Sequence, residues 1–124
     1  MLVFISIVII HWIADFVLQD EKWAIGKSTS IQKLVKHTSL YSITWVPFLW
    51  LFYGDLNNAL LFGFVTFIAH TLTDYYTSKI VKNRFDQGHY GSAIPNLGGY
   101  SMIGLDQVFH YIQLVVTWNL IFGI

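Results

Sequence analysis

Four long apolar runs occupy most of this 124-residue chain and constrain its fold more than any other feature. They cover residues 1–19, 31–53, 56–80 and 98–124. As helices, the runs are about 28–40 Å long at roughly 1.5 Å per residue, enough for the hydrocarbon part of a bilayer. Charged residues make up only 11% of the chain, whereas soluble domains have about 25%. The sequence therefore predicts a single all-α domain, a polytopic membrane protein built as an antiparallel four-helix transmembrane bundle.

Two other interpretations of these runs are disfavoured. A secretory signal has Lys or Arg before its apolar run and a small-residue cleavage site after it, and the first run has neither. A soluble helical core needs polar outer faces, whereas residues 42–53 and 59–67 are apolar almost all round. Seven basic residues balance seven acidic ones, so we expect the lipid bilayer and not nucleic acid as a partner.

The basic residues predict the orientation of the bundle. All seven lie in or beside the first and third connections, and they are Lys22, Lys27, Lys33, Lys36, Lys79, Lys82 and Arg84. The second connection, residues 54–58, has none. Basic residues next to membrane spans favour the cytoplasmic side. We therefore expect cytoplasmic basic loops, with both termini outside.

Ionisable side chains recur inside the predicted spans, where they are costly and therefore functional candidates. Three His and Asp pairs have a spacing of four, namely His11 with Asp15, His70 with Asp74, and Asp106 with His110. The second run contributes His37 and Tyr41 at the same spacing. Because residues i and i+4 share one helix face, each pair points in one direction.

The order within these pairs predicts one shared site. His precedes Asp in the first and third runs, and Asp precedes His in the fourth, which runs in the opposite direction. All three Asp residues should then lie on the cytoplasmic side of their His partners, in layers about 6 Å apart at roughly 1.5 Å per residue. His37 falls at the same depth. Tyr41 should lie one turn farther from the cytoplasm, and Trp50 and Tyr53 near the opposite membrane face.

Imidazoles and carboxylates from several helices suit a divalent metal such as zinc, manganese or iron. The predicted ligands of one or two ions are His11, Asp15, His70, Asp74, Asp106 and His110, with His37 as an extra ligand or a catalytic base. The chain has no cysteine, which excludes thiolate ligands. A hydrogen-bonded polar core or a proton relay is the alternative, because Asp accepting from His also satisfies buried groups.

Three further polar residues have weaker functional interpretations. Gln19 and Gln107 follow Asp residues closely enough to support them, although an interfacial amide is the favoured interpretation of both. His89 lies in a helix-breaking stretch, residues 87–99, and is expected to be a solvated loop residue, with a role in a lid as the alternative.

Four strings in the chain resemble a known family: HWIADFVLQDEKWAIGKS from His11, LVKHTSLY from Leu34, AHTLTDYY from Ala69 and GLDQVFHYIQL from Gly104. That family is the small bacterial and phage membrane proteins of domain-of-unknown-function family 3307. The resemblance covers nearly the whole chain and implies a helical fold in the bacterial inner membrane, without an established activity. The His and Asp pairs are also similar to those of LexA-regulated, membrane-bound metal-dependent hydrolases, which lack the D-F-x-L-Q context.

The leading functional hypothesis is a membrane metalloprotein that acts as a hydrolase. Its metal would polarise a phosphoryl or carbonyl oxygen of a substrate entering from the cytoplasmic leaflet. The second hypothesis is an ion or proton conduction module, which requires a homo-oligomer because four spans are few for transport. The third is a structural membrane protein whose polar pairs fasten its helices together.

Overall fold

The computed structural model describes residues 1–89 and 97–123, and this part of the chain is helical apart from short connections. Its elements, in chain order, are helix α1 (Leu2–Trp12), a π-helical segment (Ile13–Val17), and helices α2 (Glu21–Gly26), α3 (Ile31–Tyr53), α4 (Leu56–Asp86) and α5 (Leu97–Phe122). Most of the predicted connection 87–99, residues 90–96, lies outside the described residues. Ile124, the end of the fourth run, lies outside them as well.

Local capping interactions explain where α3 and α4 begin and end. The hydroxyl of Ser30 accepts a hydrogen bond from the backbone of Lys33 at the start of α3. Gly54 ends that helix in the left-handed conformation, with φ of 70°, which favours glycine. Asp55 then caps α4 by accepting from the backbone of Asn58. The observed bounds of α3 match the predicted run 31–53.

Two other boundaries differ from the predictions. Helix α4 continues to Asp86 instead of ending near Ile80, because residues 81–86 contain no helix breaker and Lys82 pairs with Asp86 one turn later. The first connection, expected as a loop, contains the short helix α2. Asp20 caps α2 by accepting from the backbone of Lys22.

The long helices pack as antiparallel neighbours. On α3 and α4, His37 lies beside Asp74, and Val46, further along α3, packs against Gly63, which precedes Asp74 in α4. The same reversal relates α1 to α3 and α4 to α5. The end of α4 and the start of α3 therefore lie together with α2 at one end of the bundle. All seven basic residues are at this end, which we call the basic end.

Aromatic side chains fill the other half of the bundle. Trp45, Phe62 and Trp118 are almost completely buried and contact one another, and together they define the aromatic core. The indole N–H of Trp118 donates to the hydroxyl of Tyr53 at 2.8 Å, close to the end of α3. Trp50 is half exposed in the last turn of the same helix. Large aromatic rings therefore occupy most of the interior at this end, with buried hydroxyl groups such as those of Thr66 and Thr117 among them.

The outer surface of the bundle is also apolar. Large hydrophobic side chains are exposed on every long helix, and the exposed fraction reaches 77% for Leu51 and 81% for Leu120. By length and composition, one helix among the described residues, Leu56–Asp86, is able to cross a membrane, and Leu2–Val17 is a shorter apolar helix. The prediction of four spans therefore has direct support from one helix.

Close packing between α3 and α4 leads to a first prediction. A Cβ at Gly63 would lie 2.9 Å from Cγ2 of Val46 and 3.3 Å from the carbonyl oxygen of Ser42, whereas a Cβ at Gly104 meets nothing within 4 Å. Both glycines are helical, so Gly63→Val and Gly104→Val share the same change in helix propensity. Gly63→Val should lower the free energy of unfolding by about 1–3 kcal/mol more than Gly104→Val. Unfolding in mixed detergent micelles measures this difference, and equal losses would contradict the packing.

Candidate metal centre

The structure brings all seven predicted site residues into one buried cluster. No member is more than 9% exposed, and each contacts at least one other member; they are His11, Asp15, His37, His70, Asp74, Asp106 and His110. The cluster lies between the aromatic core and the basic end. No His and Asp pair faces the outer surface, so the spacing of four and the reversed order in α5 have the geometric effect expected from the sequence.

Asp15 reaches the cluster from the π-helical segment. The N–H of Leu18 donates to the carbonyl of Ile13, five residues earlier, at 2.9 Å, as in a wide helical turn. Asp15 is 4% exposed, whereas the next residue, Phe16, is 46% exposed. Wide turns of this kind recur at functional sites because they redirect one side chain without ending the helix.

Asp15, His37 and His70 form the first group that can hold a metal ion. Nε2 of His37 is 3.1 Å from Oδ1 of Asp15 and 3.2 Å from Nε2 of His70, and the third side of the triangle is 3.7 Å. Ligands about 2.1 Å from a tetrahedral zinc ion lie roughly 3.4 Å apart. These three atoms therefore have the separations of one face of a tetrahedral site.

His70, Asp74 and His110 form the second group. Nδ1 atoms of His70 and His110 are 3.1 Å apart, and Nε2 of His110 is 3.2 Å from Oδ1 of Asp74. His70 belongs to both groups and stacks on the ring of Tyr41, with centroids 3.9 Å apart. The shared imidazole makes the two groups adjacent parts of one centre.

His11 and Asp106 lie beside these groups and are held by other partners. Nε2 of His11 is 2.6 Å from Oε1 of Gln107, an acceptor, so this nitrogen donates and Nδ1 of a neutral ring accepts from the hydroxyl of Tyr41 at 2.7 Å. Asp106 accepts from Thr77 at 2.6 Å and from Gln107 at 3.2 Å. Both side chains are thus positioned by hydrogen bonds to residues outside the two groups.

Two residues of the centre were not predicted from the sequence as part of it. Lys27, counted only as a basic loop residue, donates to Oδ2 of Asp74 at 2.7 Å. Burial disfavours its charge, but the carboxylates of Asp74 and Asp15 more than offset that cost, so the pKa of Lys27 is raised above its ordinary value. The favoured interpretation of Gln107 as an interfacial amide is wrong, because it bridges His11 and Asp106 inside the bundle. His89 is exposed in a turn, as expected of a solvated loop residue.

An open cavity of about 930 Å³ leads from the basic end to the cluster. Asp15, Asp106 and Gln107 lie on its inner wall, and α2 with the following residues lines its mouth. Two carboxylates of the centre, those of Asp15 and Asp106, therefore line the cavity, and the cavity connects the centre with one end of the bundle.

The donor set of the first group fits a divalent cation. Nε2 of His37 carries at most one hydrogen, yet it faces Oδ1 of Asp15, Oδ2 of Asp74 at 3.2 Å and Nε2 of His70. One hydrogen cannot be donated to both carboxylate oxygens at once. Oδ2 of Asp74 also accepts from Lys27, so Oδ1 of Asp15 is the oxygen that depends most on His37. Nδ1 of His37 also has no hydrogen-bond partner among the described residues. A cation between these atoms would satisfy several acceptors at once.

The protein therefore belongs to the class of helical bundles with a buried centre of His and Asp residues. The model of the family described as protein of unknown function (DUF3307) matches residues 3–124, so the chain belongs to that family and the resemblance is confirmed. Searches of curated proteins and of solved structures give no match. Family membership assigns no activity, and the chemistry that this chain can perform depends on the residues of its site.

The ion pair between Lys27 and Asp74 leads to a second prediction. Lys27→Met leaves a fully buried carboxylate without its cation, and we expect a loss of about 3 kcal/mol of unfolding free energy in metal-free protein. The exposed pair of Lys82 and Asp86 is the matched control, for which Lys82→Met should cost less than about 1 kcal/mol. Adding Asp74→Asn to Lys27→Met should recover part of the loss. Similar losses for the two lysine variants would contradict a structural role of the buried pair.

Proposed function

We propose that this protein is an integral membrane metalloprotein that binds a divalent ion among its buried His and Asp residues and uses it in hydrolysis. The observation that carries the proposal is the convergence of Asp15, His37 and His70 on one point, with separations that suit a tetrahedral ion. Three protein ligands leave a fourth position for substrate or water, as in catalytic zinc sites.

The distribution of polarity supports a membrane location. Ionisable groups lie in the interior next to the basic end, while Phe, Leu, Ile and Trp side chains cover the outside of α1, α3, α4 and α5. A soluble bundle has the reverse arrangement, because water favours charged groups on the outside. We infer that all four long segments span the bilayer as a single domain, residues 1–124, although hydropathy alone supports only α4.

The basic end gives the proposed orientation. Its seven basic residues would face the cytoplasm, which puts both termini outside a multi-pass protein of the bacterial inner membrane. The centre then lies towards the cytoplasmic side of the bilayer, with Asp15 and Asp106 nearer to the cytoplasm than the aromatic core.

Zinc, manganese and iron suit the proposed donor set, and one or two ions can be accommodated by the two groups. Asp15, His37, His70, Asp74 and His110 are the proposed ligands. We assign His11 a supporting role, because hydrogen bonds to Tyr41 and Gln107 engage both of its ring nitrogens. A ligand role for His37 is preferred over a role as base, because its Nε2 points at the other proposed ligands.

The cavity supports hydrolysis over conduction. It opens at the basic end, and beyond the centre the interior is occupied by Trp45, Phe62 and Trp118. Substrate and product can therefore use one opening, whereas conduction needs a path through both halves. A bound divalent ion would supply polarisation of a phosphoryl or carbonyl oxygen. Asp106 lines the cavity beside His110, at 3.3 Å, so its carboxylate can accept a proton from an attacking water and return it to the leaving oxygen.

Metal analysis tests the proposal directly and gives a third prediction. Protein purified in detergent without chelator should contain about one or two divalent ions per chain. His70→Gln should lose most of this metal because His70 belongs to both groups, whereas His89→Gln, an exposed histidine outside the cluster, should keep it. Less than about a tenth of an ion per chain would refute a resident metal.

The hydrolytic step is tested with the same variants. Metal-loaded protein should release product from ester substrates, and His70→Gln should lower the rate by at least about a hundredfold. His89→Gln should leave it unchanged. Conduction would be favoured instead if the metal-loaded protein hydrolysed no ester but carried divalent ions into liposomes, with its stability and metal content unaltered.

Labelling of single cysteines provides a fourth prediction, because the natural chain has no cysteine. Asn57 and Asn83 are exposed near opposite ends of α4, about 39 Å apart at roughly 1.5 Å per residue. With an impermeant maleimide, Asn83→Cys should react only from the cytoplasmic side and Asn57→Cys only from outside. Reaction of both from one side would refute the proposed span, and the opposite pattern would reverse the orientation.

A further inference from the structure

The mouth of the cavity has two chemically different kinds of lining. Phe16, Ile25, Phe85 and Ile103 provide apolar surface between the helices. Four lysines also line the cavity, namely Lys22, Lys27, Lys33 and Lys82. A cavity that combines ammonium groups with apolar surface suits an anion attached to an apolar group.

Two of these lysines have no carboxylate partner. Lys27 is engaged by Asp74 and Lys82 by Asp86, whereas Lys22 and Lys33 form no ion pair with the residues that the structure describes. Both of the latter side chains are exposed and therefore keep their charge available to a ligand. Lysine binds phosphate well as a compact charge with three donors.

Gly26 leaves room for the side chain of Lys33, one of the two lysines without a carboxylate partner. The side chain of Lys33 crosses directly over Gly26, and a Cβ at that residue would lie 2.8 Å from Nζ and closer still to Cδ. Gly26 is buried and ends α2, and its missing side chain leaves the path that Lys33 follows. The ammonium group therefore lies beside Gly26 in the lining of the cavity.

We propose that this cavity binds a phosphate group, with Lys22 and Lys33 as its principal cationic contacts. The inference rests on the proposed function in one respect, since it makes a phosphate ester the substrate class of the centre. Asp15 and Asp106 on the inner wall would repel a phosphate, so a divalent cation beside them strengthens binding. The apolar lining favours the headgroup of an anionic lipid as the source of the phosphate over a soluble ester.

The test measures retention of phosphatidic acid by native mass spectrometry after purification from nanodiscs of phosphatidylcholine with and without phosphatidic acid. Lys33→Gln should weaken retention roughly tenfold, the equivalent of about 1.4 kcal/mol and close to the lower end of the range for one charged hydrogen bond. Lys36→Gln is the matched control, since Lys36 is an exposed residue of the same helix outside the cavity lining. Gly26→Ala retains every charge but displaces the Lys33 side chain, and it should weaken retention severalfold without loss of stability.

Glycerol 3-phosphate distinguishes the two sources of phosphate. If it does not compete with phosphatidic acid, a lipid headgroup is the ligand, and if it competes at equal concentration, a soluble phosphate ester is. Equal retention by Lys33→Gln, Gly26→Ala and Lys36→Gln would refute the phosphate site. Metal content is measured on the same samples. A protein that holds metal without lysine-dependent retention refutes this inference alone, and lysine-dependent retention without metal refutes the metal centre alone.

Discussion

The arrangement of this bundle depends on the burial of two aspartates among imidazoles. Asp74 is inaccessible to solvent, and Asp15 nearly so. A charge in such surroundings requires a cation or several hydrogen-bond donors within contact distance, because the cost of desolvation amounts to several kcal/mol. The partners come from α2, α3, α4 and α5, so removal of any one of these elements would leave a carboxylate short of compensation. The positions of the helices and the compensation of the buried carboxylate charges therefore depend on each other.

Helix geometry explains why so much of the centre was predictable from the sequence. A spacing of four fixes a common face, and chain direction fixes relative depth, so His70, Asp74, Asp106 and His110 had to approach one another once α4 and α5 were antiparallel. Lys27 was not predictable, because its contact with Asp74 depends on how the first connection folds back across the bundle. The π-helical turn at Asp15 and the division of the ligands into two groups also depend on tertiary packing, which leaves no periodic signal.

Hydropathy is least informative for the helices that contribute most to the interior. His37, Tyr41 and Trp45 lower the mean hydropathy of α3, yet all three face inward. A mean over a helix takes no account of direction, whereas a bilayer contacts only the outer face. Leu51 and Ile43 of the same helix are largely exposed and would meet lipid. The direction in which each side chain points therefore indicates which face of a helix meets lipid, whereas the mean hydropathy of the helix does not.

The ion pair between Lys27 and Asp74 connects α2 and the residues after it, which line the mouth of the cavity, with the buried carboxylates of the centre. Oδ2 of Asp74 accepts from Lys27 and also lies 3.2 Å from Nε2 of His37, so a cation bound there competes with the ammonium group for the same oxygen. If the proposed ion binds there, thermodynamic linkage makes this competition reciprocal: the ion would weaken the hold on α2, and displacement of α2 would raise the affinity for the ion. Access to the proposed metal site and its occupancy would then be linked in one equilibrium, in which Lys27 acts as the exchangeable counterion.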